Sequence, residues 1–577
     1  MNLPATTLDL MHGLMLAVDA SAPPKVGFGA LAALGLFIVG SMWIGVLANR
    51  AMQSPSFMKG FFLGNRGLGS WALALTATVQ SGGTFMGYPS LVYTHGWVVA
   101  LWIAGYMVVP ITGFGILGKR LAQISRKSNA LTVPDIFRER FNSPMLGLLA
   151  SLAILFFMSV MMIAQFKAGA TVMKLAWPWS DSLVLSEDAA TNLDIPYWIG
   201  LGVFTVTVVG YTLLGGFLAA VWTDLFQSVM MAIGVVLLLV LAVNATGGME
   251  PATVAAMKAT SPEYAFGPGF SRDAGRLFLP VTLAISFFCN WVFSGVGSPA
   301  GMVRIMACKD TETIRRSIYL LSFYNGLIYI PLVVICVCGR ALIPDLPAGK
   351  EDEIIPRLAI TLTSGFPIGS FWGGMILAAP FGAVMATVSS YLVVIASGLV
   401  RDVYQRFINP EANEYMLSRL SWAVMIIVGL IAVGFNIRPV AFLQVLVVFS
   451  GTGAAATFCV PVMMLAYWRR STKWGVLAAM LAGGLTQVGL YAIGIFELAP
   501  DMATQNIGAA SKFRPYFLLG FDPLMWSLPM SLICGVVVSL LTQPPDLRLV
   551  HHFFDVPVHG YAPVQPAQQT VPEATRT

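Results

Sequence analysis

Residues 71–93 read WALALTATVQSGGTFMGYPSLVY, a stretch long and apolar enough to cross a bilayer, with Ser81-Gly82-Gly83-Thr84 near its middle. Glycine costs roughly 1 kcal/mol against alanine inside a helix, and two together beside Ser and Thr predict a break. Backbone freed at that depth is tolerated only where it faces protein or a watery cavity, because lipid offers no hydrogen-bond partners. Freed backbone at the midplane is what a secondary transporter uses to hold ions and polar solutes. The stretch therefore predicts a binding helix, and the rest of the chain must be compatible with one.

Composition sets the class. Of 577 residues, 57% are hydrophobic and 10% charged, whereas soluble domains carry about 25% charged residues. An all-α polytopic membrane protein is expected, in contact with the lipid bilayer and with no nucleic-acid partner. The six cysteines (Cys289, Cys308, Cys336, Cys338, Cys459 and Cys534) mostly lie within apolar runs and lack the flanks of a metal motif, so they are expected to be packing residues. Residues 1–25 have an apolar run but no basic segment ahead of it, so a cleaved signal peptide is not expected.

Apolar stretches of roughly 20 residues recur. They lie near 27–49, 68–93, 97–118, 147–175, 196–214, 220–244, 276–300, 317–342, 369–399, 419–436, 440–467, 474–495 and 524–545, about thirteen in all. Lys and Arg gather in alternate loops: Arg50, Lys59 and Arg66, then Lys119 to Arg140, then Arg304 to Arg316, Arg401 with Arg406, and Arg469 to Lys473. The opposite loops are richer in acids, as at Glu351, Asp352 and Glu353. The charge asymmetry places the amino terminus outside and the carboxy terminus inside a cytoplasmic membrane.

A second interrupted stretch, Phe288–Arg304, contains Ser294-Gly295-Val296-Gly297-Ser298-Pro299. It is the seventh span, as the first break is in the second. Units of five spans at 68–244 and 276–467 would be mutually inverted, because five is odd, and matched broken helices in two halves point to a transport site. Around them lie an outer tail (1–26), a peripheral helix (27–49), two further peripheral helices (474–545) and a Pro-, Gln- and Thr-rich tail (546–577). That tail is expected to be disordered and cytoplasmic, with no soluble domain after it.

Several motifs fall at these places. Phe62-Leu63-Gly64-Asn65-Arg66 precedes the first break, and Ala77-Thr78-Val79-Gln80-Ser81 runs into it. Thr132-Val133-Pro134-Asp135 and Arg140-Phe141 lie in a basic loop. Tyr211 to Gly216, Trp222 to Gln227, Arg304 to Asp310 and Ala383 to Tyr404 complete the set. Over residues 60–480 the combination resembles the sodium:solute symporter family, most closely its pantothenate-permease-like members. The resemblance implies a LeuT-like 5+5 inverted repeat with discontinuous helices, and alternating access driven by sodium as coupling ion, without another cofactor.

The resemblance also implies a sodium site formed by the carbonyls of Ala77, Gln80 and Ala383 and the hydroxyl of Thr387. Where the family usually places two adjacent hydroxyls this chain has Ala386 then Thr387, so one oxygen is missing. Asp224 matches a family carboxylate near the inner side of that site. It is read either as a lure for the departing ion or as a carboxylate reaching interfacial water.

For the solute, the segment Ser81, Gly82, Gly83 and Thr84 opens an outer half-helix whose N–H groups suit an anion. Facing it, Asn290, Trp291 and Ser294 offer polar and apolar contacts. Gly83 and Thr84 stand where the family's sugar carriers have Gln/Glu-type residues, which argues against a sugar. Lys167, about 12 Å below a helix end, either snorkels to the outer interface or faces an anionic solute in the cavity. Ser450-Gly451-Thr452-Gly453 is read as a gate or as a close helix contact.

The leading expectation is sodium-coupled import of a small organic carboxylate, pantothenate-like or a monocarboxylate. Proton coupling, uncoupled carriage of an amino acid or other solute, a membrane sensor on the same fold and an ion channel are the alternatives. Neither a nucleophile–base pair nor a phosphate loop appears, so an enzyme is not expected.

Overall fold

A computed structural model describes residues 27–51, 57–76, 81–178, 194–268, 280–347, 349–438, 443–498 and 513–555. These are mostly helical; a β-bridge joins Leu68 and Cys308. Among the described residues eleven helices are long and apolar enough to cross a membrane, or twelve if one bent pair counts as a span. The thirteen expected stretches differ from this count for a geometric reason. One helical run, Gly83–Lys127, has 45 residues, about 68 Å at 1.5 Å per residue, far more than the roughly 30 Å of a hydrocarbon core. It reverses at Gly96, whose φ of 74° only glycine adopts freely. Its first part is the half of the broken second stretch that follows the break, and the remainder is the third.

The elements that frame the site are α1 (Phe28–Ala51), α2 (Ser70–Thr76), α3 (Tyr88–His95), α4 (Ala100–Val109), α5 (Lys119–Lys127), α6 (Val133–Phe141) and α7 (Pro144–Leu175). Next comes α8 (Ile195–Thr246), two helices joined at Gly216. There φ is 54°, and a Cβ would lie 2.5 Å from the Phe61 ring. The second half begins with α9 (Val281–Gly297), α10 (Pro299–Met306) and α11 (Thr311–Leu342), followed by α12 (Gly369–Ser397), α13 (Glu414–Phe435) and α14 (Leu443–Tyr467). Last are α15 (Lys473–Ile495), α16 (Leu524–Leu541) and α17 (Leu547–Phe554).

Burial sorts them. In the apolar windows of α12 and α14, 89% of residues are buried, against 28% in α13. The former two are central, and α13 turns residues such as Ile427, Leu430 and Ile431 outward, as a lipid-facing helix does. One expectation is overturned. Residues 547–554 are not a featureless tail: Asp546 accepts from Arg548 N–H at 2.8 Å to start α17, and Val550 and Phe553 bury one face of it. A short apolar stripe sufficed where the Pro- and Gln-rich average suggested none. All six cysteines are free thiols, four of them buried.

Candidate functional site

At the first break α2 ends at Thr76. Residues 77–80, including the expected ion ligands Ala77 and Gln80, lie outside the described residues. The chain continues at Ser81 and makes a π-helical turn, Gly83–Gly87, into α3. Gly82 N–H donates to Gln165 Oε1 at 2.6 Å, and Thr84 N–H donates to Ser81 O and Oγ at 3.1 Å each. Thr84 Oγ1 also meets Tyr329 OH at 3.1 Å. The donors at Gly82 and Thr84, expected to face an anion, are therefore engaged within the protein. The glycines are required by space: a Cβ on Gly82 would lie 2.7 Å from Ala168 Cβ, and one on Gly83 2.7 Å from Val447 Cγ1.

The second break is a 41° bend between α9 and α10. Ser298 accepts from Gly301 N–H at 3.3 Å, and Pro299 occupies the first helical position, where its missing N–H loses no bond. A Cβ on Gly297 would lie 2.5 Å from Ala455 Cα, so the bend is pressed against α14. The segments flanking the two broken helices are joined: Leu68 N–H donates to Ala307 O and Lys309 N–H to Leu68 O, both at 3.1 Å.

Between the breaks lies a cavity of about 130 Å³, room for a small solute. Ser81, Trp291, Ser294 and Thr387 line it; Gly82, Gly83, Thr84, Asn290 and Lys167 do not. Trp291 Nε1 and Ser294 Oγ are buried and have no hydrogen-bond partner among the described residues. Trp291 stacks on Tyr106 at 4.5 Å and Tyr106 on Tyr329 at 4.1 Å. Trp102 adds contacts to Trp291 at 5.3 Å and to Phe287 at 4.6 Å. Of these rings, Tyr106 and Trp291 line the cavity itself.

Three expected placements are corrected. Lys167 neither snorkels nor faces the cavity: its Nζ pairs with Asp352 Oδ2 at 3.1 Å, and that oxygen also accepts from Leu443 N–H at 3.1 Å. Asn290 turns away from the cavity; with its amide oriented to donate, it reaches Asp522 Oδ1 at 3.2 Å and Ser286 O at 3.1 Å. Burial pushes the Asp522 carboxyl up to about 6. Asp224 does not reach interfacial water. It is wholly buried, and its Oδ2 accepts from Arg304 Nη2 at 2.9 Å and from Ser390 Oγ at 3.4 Å. Arg304 itself donates from Nε to Thr76 Oγ1 at 3.0 Å and from Nη2 to Ser390 Oγ at 2.7 Å. One guanidinium thus ties α2, the second half of α8, α10 and α12.

Of the expected ion ligands, Thr387 Oγ1 donates to Ala383 O at 3.2 Å, so the two oxygens are adjacent. Ala386 also lines the cavity, where a second hydroxyl would stand. Ser389 Oγ is spent on Ala386 O at 3.0 Å and cannot replace it. Ser450 Oγ donates to Phe157 O at 2.6 Å and a Cβ on Gly453 would strike the Phe157 ring at 2.1 Å, a close helix contact.

Sequence reasoning missed the roles of Arg304, Ser390 and Asp352. Arg304 was assigned to a basic loop, although its place on the apolar run PAGMVRIM signalled burial. The Asp352 pairing left no local signal, since 185 residues separate it from Lys167.

The profile of the sodium:solute symporter family matches residues 61–483. The chain is 30% identical over 514 residues to the sodium/pantothenate symporter of Escherichia coli (strain K12), covering 87% of this chain and 94% of that protein. It is 27% identical over 486 residues to the sodium/proline symporter of the same strain, covering 82% and 90%. Among solved structures, the substrate-bound outward-open state of a Na+-coupled sialic acid symporter superposes with a TM-score of 0.65 at 18% identity, covering 90% of this chain and 99% of that one. That likeness is one of fold, the LeuT-like arrangement of discontinuous helices.

Proposed function

The chain belongs to the sodium:solute symporter family, and from that premise we propose that it imports a small organic carboxylate, of the pantothenate or monocarboxylate kind, into the cytoplasm. Membership carries sodium-coupled symport of a solute by a multi-pass membrane protein. The choice of solute rests on one observation: Trp291 and Ser294 line the cavity, and their Nε1 and Oγ are buried without a hydrogen-bond partner among the described residues. A buried donor without an acceptor costs about 1–3 kcal/mol, and a solute with carboxylate or hydroxyl oxygens would supply the acceptors. Arg304, paired with Asp224, also lines the cavity, and among the described residues no acidic side chain lines it, which offers a cationic solute no free carboxylate. Tyr106 and Trp291 offer ring faces to an apolar body.

In this reading the solute enters from the side of Trp102, Tyr106, Trp291 and Phe287. Sodium binds at Ala383 and Thr387, with Ala77 and Gln80 as the remaining ligands, and leaves toward Asp224. With the amino terminus outside, residues 68–244 and 276–467 act as the two inverted units. Alternating access is then a change in how the two broken helices sit against α7, α12 and α14. Proton coupling remains the second reading, favoured by Ala386 lining the cavity beside Thr387.

The test is uptake into liposomes under an imposed sodium gradient, with pantothenate, short monocarboxylates and their neutral amides. Carboxylate uptake that needs sodium is expected. Equal uptake of the amides would overturn the carboxylate, and uptake driven by a proton gradient in choline would favour the second reading.

A further inference from the structure

On the face that carries the basic loops, four cations meet one short helix. Arg140, on α6, is fully buried, and its Nε, Nη1 and Nη2 have no hydrogen-bond partner among the described residues. Its guanidinium lies instead over the rings of Phe141 at 4.9 Å, Phe554 at 5.2 Å and Phe553 at 5.7 Å. Arg120 and Arg469 also face the Phe554 ring, at 5.1 and 5.3 Å. Lys127 Nζ donates to the carbonyls of His552 and Phe553, both at 3.1 Å. Among these contacts the one carboxylate is Asp555, which accepts from Arg469 at 2.6 and 3.2 Å.

Ring faces attract a cation but accept none of the guanidinium's five N–H bonds. A planar fork of that kind, flanked by further cations, matches the paired oxygens of a phosphate group. Burial, then the nearby Arg120, lower Arg140 to about 10, so the cluster strains against its own charge. The cover is short: eight residues, fewer than a helix needs to persist alone in water. It is therefore held by what lies under it.

We propose that Arg120, Lys127, Arg140 and Arg469 form a binding site for a phosphate group, which α17 covers by placing its terminal carbonyls and Asp555 where phosphate oxygens would bind. Anion and helix then compete for the same cations. The phosphate belongs either to an anionic lipid headgroup or to a free anion, and the two sources are separable by experiment.

The full-length purified protein is melted with inorganic phosphate against chloride at equal ionic strength. It is then melted in nanodiscs of phosphatidylglycerol against phosphatidylcholine. Two variants accompany it. Arg140→Met replaces a buried cation by an apolar chain of similar length and is expected to fold, because such exchanges are often neutral or stabilising. Asp555→Asn weakens the cover and leaves the site.

A phosphate- or phosphatidylglycerol-dependent rise in melting temperature is expected for the parent. In Arg140→Met the apparent affinity should fall about tenfold or more, and in Asp555→Asn it should rise severalfold. A rise with inorganic phosphate identifies a free anion; one confined to phosphatidylglycerol identifies a headgroup. No rise with either probe, or equal rises in parent and Arg140→Met, overturns the site. An unchanged affinity in Asp555→Asn overturns the competition.

Discussion

The two broken helices are matched in sequence and unlike in physics. The first has a freed N–H, at Gly82, caught by Gln165 from another helix 83 residues away. The second caps itself, with Ser298 turning to Gly301 N–H three residues on, and sits pressed against Ala455. A break held from outside is sensitive to where α7 stands, whereas a self-capped bend keeps its shape wherever it is carried. We read the first as the responsive element of the transport cycle and the second as a rigid one. The two share Arg304, which lies beyond the second bend and donates to Thr76 just before the first.

Filling the first break should have the largest effect. Gly83→Leu drives a side chain into Val447, and solute binding and uptake should be lost; normal uptake would show that the break is no part of the site. Asp224→Ala strands the Arg304 guanidinium in a buried site, which typically destabilises by about 3–5 kcal/mol. Its melting temperature in detergent should drop steeply, and a parent-like melt would mean that the shared network does not hold α2, α8, α10 and α12 together.

Gln165→Leu removes the acceptor for Gly82 N–H, together with a donation to Met161 Sδ, a change of about 1–3 kcal/mol. Solute affinity by calorimetry should weaken about tenfold, and unchanged affinity would erase the difference drawn between the breaks. Thr387→Ala should raise half-saturating sodium severalfold in uptake assays, with solute affinity at saturating sodium retained. Ser298→Ala should be mildest, about 1 kcal/mol as for a lost helix cap, with sodium and solute affinities unmoved. A large loss of affinity there would make the second break responsive too.

Much of the architecture was legible because it follows from one rule: backbone in lipid must satisfy itself, so spans announce themselves as apolar runs and breaks as Gly-rich interruptions. Trp291, Ser294 and Ser81 could be named from position relative to those breaks, and Thr387 from the family resemblance; all four line the cavity. Gly82 and Thr84 were placed correctly in the chain, but their N–H groups were assigned to a solute when Gln165 and Ser81 take them. Lys167, Asn290 and Arg304 were misjudged for one reason: each is settled by a partner far away in sequence.

The chain's own pattern of apolar runs, glycines and basic loops determined the class of fold, where its helices break and which residues stand near the breaks. Only the tertiary structure decided which polar groups are spent and which remain for a ligand. A hydrogen bond within a helix turn can be inferred from spacing. A buried charge takes whichever partner packing brings within about 3 Å, and the pairs Lys167–Asp352 and Arg304–Asp224 join residues 185 and 80 positions apart.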